Sequence, residues 1–91
     1  MFNNQRKYDV MKHKLKTWPE HFDAVVSGQK TFEIRKNDRN FKEGDILILE
    51  KYDPEEKEYL FEAIFVKVKH ILHGGQFGIE KNYCIMSIEL A

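Results

Sequence analysis

The sequence predicts a small, mainly β (α+β) domain, a β-barrel of about five to six strands with one short helix near the N-terminus. Three observations carry that expectation. Apolar residues alternate with polar ones over several short runs, which is the period of a half-buried strand. Clusters of Gly, Pro, Asn and Asp separate those runs at short intervals, as turns do. Only the stretch after Thr17 has helical spacing together with helical end signals.

The elements follow in chain order. Residues 1–11 are polar and lack a period, and they are expected to be a flexible leader; residues 12–91 are expected to be one domain. His13 to Thr17 alternates Lys14, Leu15 and Lys16 and reads as a short strand. Thr17, followed three residues later by Glu20, has the spacing of a capping box, and Pro19 suits a first helical turn. Phe22, Val25 and Val26 then form one apolar face, and Gly28 closes the helix, giving an expected span of Trp18 to Ser27.

Lys30 to Lys36 is expected to be a strand with Phe32 and Ile34 toward the core. Thr31, Glu33 and Arg35 then share the opposite face. Asn37 to Asn40 and Glu43-Gly44-Asp45 are turns by composition. Ile46 to Leu49 is a continuous apolar run, typical of a strand covered on both sides. Tyr52 to Lys57 is a hairpin turn leading into a long strand from Tyr59 to Leu72, with Ile64, Val66, Val68 and Leu72 inward. A glycine-rich loop, His73 to Gly78, precedes a closing strand, Tyr83 to Leu90, with Cys84, Met86, Ile88 and Leu90 on one side. Strands in so short a chain must curl to remove their edges, and the helix is placed to plug one end.

Composition narrows the function classes. Fifteen Lys and Arg balance fifteen Asp and Glu among 91 residues. Bulk electrostatic gripping of long nucleic acid needs an excess of cations, so only a local basic patch remains for such a role. A single cysteine, Cys84, rules out an internal disulfide framework and is expected to be buried filler. No apolar run is long enough to span a membrane and no signal-peptide pattern opens the chain, which leaves the cytoplasm as the expected location. His70 and His73 are expected to point to opposite faces of a strand and not to share a metal. The glycine-rich loop lacks the following helix of a phosphate loop. Neither a metal, a cofactor nor a membrane is expected among the partners.

The chemistry concentrates in Lys30, Thr31, Glu33 and Arg35. Alternate residues of a strand stand about 7 Å apart, so these groups can converge on one small ligand. Lys30 and Arg35 offer donors to phosphate or carbonyl oxygens; Glu33 can accept from an amine or act as a general base. Trp18 is either a stacking face for a base or a core aromatic beside Phe22. The plainer alternative is a solvated strand face with cross-strand ion pairs.

Three segments carry a resemblance. Leu15-Lys16-Thr17-Trp18-Pro19, Gly28-Gln29-Lys30-Thr31-Phe32-Glu33-Ile34-Arg35-Lys36-Asn37-Asp38-Arg39 and Phe41-Lys42-Glu43-Gly44-Asp45 resemble the signature of ASCH domains of the PUA-like superfamily. They are more similar still to its small bacterial and phage branch of unknown function, whose ending resembles Gly74 to Gly78 and Tyr83 to Ser87. The resemblance implies a β-barrel with a cleft beside the helix, lined by Lys30, Glu33 and Arg35, and an RNA- or nucleotide-binding role. One ASCH branch holds amidohydrolases that deacetylate acetylated cytidine with a Lys, a Thr three residues later and a distant Glu. Lys30 matches that Lys, but Glu33 stands at the Thr position and no insert supplies the distant Glu. Lys30 and Glu33 are the candidate catalytic residues on that reading. Binding without turnover is the expectation, with a small amidohydrolase or a non-catalytic protein-interaction domain as the alternatives.

Overall fold

The structure, a computed structural model, describes residues 10–91; residues 1–9, most of the expected leader, lie outside the described residues. The elements are β1 (Lys12–Thr17), α1 (Pro19–Val26), β2 (Phe32–Lys36), β3 (Ile46–Asp53), β4 (Glu58–His73) and β5 (Tyr83–Leu90). The five strands form one sheet in the order β1-β3-β4-β5-β2, which curls into a half-barrel. Only β1 and β3 run parallel. A parallel pair needs a crossover, and α1 and β2 lie within it. Among the described residues, no helix is long and apolar enough to cross a membrane.

One core fills the concave side. It joins Leu15 of β1, Leu47 and Leu49 of β3, Val66 and Val68 of β4, and Cys84 and Met86 of β5, under Phe22 and Val25 of α1. Burial pushes the Cys84 thiol above its ordinary pKa. α1 is pinned at its rim by Lys51, whose Nζ lies 3.0 Å from Asp23 and 3.3 Å from Glu62. The turns sit where composition puts them. Gly44 has φ +93° at the position where the turn closed by Asp45 N–H to Lys42 O requires it. Gly74 is required for space, because a Cβ there would fall on the carbonyl of Glu80.

Several expectations need correction. The capping box does not form. Trp18 is the N-cap and makes no side-chain cap bond, while Thr17 ends β1 as expected. The Thr17 hydroxyl donates to Leu15 O and accepts from Arg35 Nη2, both at 3.1 Å, so it is not free to cap. Val26 is exposed, because a helix of two turns presses only Phe22 and Val25 onto the sheet. Ile46 and Ile48 are only half-buried, since one face of β3 has no layer above it.

A bulge between Val68 and His70 shifts the parity of β4, so Ile71 takes the core position expected for Leu72. Leu90 shares a side with Cys84 but runs past the core and is exposed. Trp18 is 52% exposed and is not a core aromatic.

The largest correction concerns β2. Glu33 is buried and Arg35 half-buried, whereas Phe32 and Ile34 face outward. The cause lies in the neighbouring strand. β2 pairs only with β5, in a register that sets Glu33 opposite Met86 and Arg35 opposite Cys84. Directly opposed residues share a face, and Met86 and Cys84 belong to the core. The alternation of β2 holds, but its inner side is the polar one.

Candidate functional site

β1 and β2 are the two outer strands of the sheet and are not paired with each other. Side chains close the seam between them. Arg35 Nη1 donates to Lys16 O at 3.1 Å, and Arg39 Nη1 donates to Lys14 O at 2.9 Å. Arg35 therefore does for β1 part of what a sixth strand would do. It satisfies a backbone carbonyl that would otherwise need water.

Where the seam meets the N-terminal end of α1, a cleft of about 480 Å³ opens. Lys16, Thr17, Trp18, His21, Lys30, Phe32, Glu33, Ile34 and Arg35 line it. The local backbone explains how Lys30 gets there. Ser27 and Gly28 (φ +84°) end α1, and Lys30 N–H donates back to Ala24 O at 2.9 Å. This return sets Lys30 beside the helix just before β2 begins.

The polar groups are organised around Glu33. Its Oε1 accepts from Lys30 Nζ at 3.3 Å and its Oε2 from Arg35 Nε at 3.0 Å. Lys30 Nζ also lies 3.4 Å from His21 Nδ1, so that nitrogen acts as the acceptor when Lys30 is charged. The Glu33 side chain is 3% exposed, against 16% for Lys30 and 23% for Arg35. The carboxylate is thus at the floor and the cations are at the opening. An ammonium and a guanidinium carry more N–H donors than these bonds use. The lining holds three permanent cations, Lys16, Lys30 and Arg35, and one carboxylate, Glu33. The Lys16 ammonium rests 4.5 Å from the centre of the Tyr52 ring.

Of the residues singled out from sequence, Trp18, Lys30, Glu33 and Arg35 line this cleft, and Thr31 does not. Thr31 is exposed and its carbonyl accepts from Ile88 N–H. Sequence reasoning missed Lys16, Thr17 and His21. The signals were present. Lys16 has the same strand parity as Trp18, and His21 lies three residues from Trp18, on the same helix face. Elsewhere, His70 Nδ1 lies 2.8 Å from Glu43 Oε2. Among the described residues no three His, Cys, Asp or Glu side chains are gathered as a metal site.

A family model described as a domain of unknown function (DUF3850) matches residues 12–88. An uncharacterized 12.9 kDa protein in the GpA 3′ region of Escherichia phage P2 is 45% identical to this chain over 40 residues. That stretch covers 44% of this chain and 37% of the phage protein, so the chain matches well under half the length of that relative.

Proposed function

The chain belongs to the DUF3850 family of domains of unknown function, and we propose that it is a binding module for RNA or a nucleotide, held in the cleft beside α1. One observation carries this reading. Trp18, half exposed, stands at a cleft whose lining offers three permanent cations against one carboxylate, in a chain with no net charge. An exposed indole gives a base a stacking face. Lys30 and Arg35 present spare donors to a phosphate or to a base carbonyl. The resemblance to ASCH domains points the same way.

Glu33 acts as the fixed counter-charge that holds Lys30 and Arg35 in place, each of its oxygens accepting from one of them. The direct test uses Trp18, the only tryptophan, as the reporter. Titration with nucleosides, nucleotides and short RNAs is expected to quench its fluorescence saturably, and Lys30→Ala is expected to weaken that binding about tenfold. Unchanged fluorescence with every ligand up to millimolar concentration defeats the reading.

The rival reading, hydrolysis of N-acetylcytidine, draws on Lys30 and Glu33 facing one cleft. Amide hydrolysis needs a nucleophile or an activated water, and a donor for the leaving amine. Each Glu33 oxygen already accepts from a cation, and the buried Thr17 hydroxyl donates to Leu15 O. We expect binding without turnover. Chromatography of the protein incubated with N-acetylcytidine checks this, and product that disappears with Lys30→Ala would promote Glu33 to general base.

A further inference from the structure

The outward face of the sheet beside the cleft carries a pattern that the cleft does not use. Lys12, Lys14 and Lys16 are all exposed on β1, alternating with buried His13, Leu15 and Thr17. Trp18 follows with the same parity and an extended backbone (φ −64°, ψ 149°). Neighbours in this row stand about 7 Å apart.

The register shows what lies next to them. Lys12 is opposite Ile46, which is opposite Lys67; Lys14 is opposite Ile48, which is opposite Phe65. Phe65 is 48% exposed, and Ile46 and Ile48 are half-buried between the two rows of longer side chains. Four lysines on this face outnumber Glu50 and Glu89, which share it. Lysines on an edge strand also discourage strand pairing. That role does not account for Lys67, which projects from β4 inside the sheet, nor for the exposed Phe65 two residues before it on the same strand.

We propose that this face is the continuation of the cleft, a track on which a single-stranded RNA runs from Trp18 and Lys16 past Lys14 and Lys12, with one base on Phe65. The inference rests on the cleft reading and deepens it. The ligand is an oligonucleotide, not a free nucleotide. The occupant follows from charge and shape together. Cations spaced along a strand suit a repeating phosphate backbone, and an aromatic beside them suits a sequence-tolerant base stack. Lys16 belongs to both parts, lining the cleft and ending the row.

The test compares a mononucleotide with single-stranded RNAs of increasing length, on the wild-type chain, on Lys12→Gln/Lys14→Gln and on Trp18→Ala, by calorimetry at several salt concentrations. Neither Lys12 nor Lys14 lines the cleft and both side chains are exposed, so the double variant keeps the fold. Oligonucleotides are expected to bind tighter than the mononucleotide. The double variant is expected to lose roughly tenfold in oligonucleotide affinity at low salt. Its log–log salt slope is expected to fall by about 1.4, or about 0.7 per lysine, with mononucleotide binding unchanged.

An oligonucleotide affinity and slope that the double variant leaves intact overturn the track, whether or not the cleft binds. Track-dependent binding that Trp18→Ala does not weaken overturns the cleft reading and leaves the track standing. Self-association abolished by the double variant, without RNA binding, assigns the face to a second copy of the chain and overturns the proposal.

Discussion

Among the described residues, charge is buried in two places, and the two differ in what they leave over. At the start of β1 and β3, His13 Nε2 lies 2.9 Å from Asp45 Oδ2, both residues buried. The same carboxylate oxygen accepts from Lys42 N–H at 3.0 Å, and the His13 ring packs edge-on against Phe41. This cluster is sealed and joins two strands that are already hydrogen-bonded. Around Glu33, by contrast, a buried carboxylate holds two cations that reach a cleft, one of which bridges strands with no backbone pairing. The first arrangement is a brace whose shared oxygen already accepts from two donors. The second is a brace with donors to spare. A polar cluster becomes a candidate site when its hydrogen-bonding capacity exceeds its internal demand and opens to solvent.

Two substitutions test this contrast, the larger first. Glu33→Ala leaves Lys30 and Arg35 without their carboxylate and loosens Arg35 from the seam. Breaking such a buried ionic cluster is expected to cost about 3–5 kcal/mol in urea denaturation. A loss below about 1 kcal/mol, the surface range, would show that the seam holds without it. Asp45→Ala removes an acceptor from His13 and from the Lys42 amide. It is expected to cost about 1–3 kcal/mol while nucleotide affinity stays at the wild-type value. Weakened ligand binding in that variant would mean the sealed cluster is coupled to the cleft, and the contrast would fail.

Much of this architecture was legible before the structure. The long strand β4, the hairpin after Tyr52, the turn at Gly44 and the helix between Pro19 and Gly28 follow from local sterics and alternation. The motif from Lys30 to Arg35 was legible as chemistry but not as geometry. The sequence makes Thr17 a helix cap because the capping spacing is local, whereas its actual partner, Arg35, is 18 residues away. The alternation puts Leu72 inward, because a bulge leaves no mark in a run of alternating residues.

By itself, the sequence determined that a strand follows a short helix closed at Gly28 and that Glu33 and Arg35 share one side of that strand. Local backbone sterics and a period of two are enough for that. Which side is inside was decided only by the tertiary structure. Period two is symmetric between a strand's faces, and an apolar pair such as Phe32 and Ile34 ordinarily breaks the tie toward the core. Here the register against Met86 and Cys84 breaks it the other way. The open seam beside β1 then gives the inward charges the partners that make their burial tolerable.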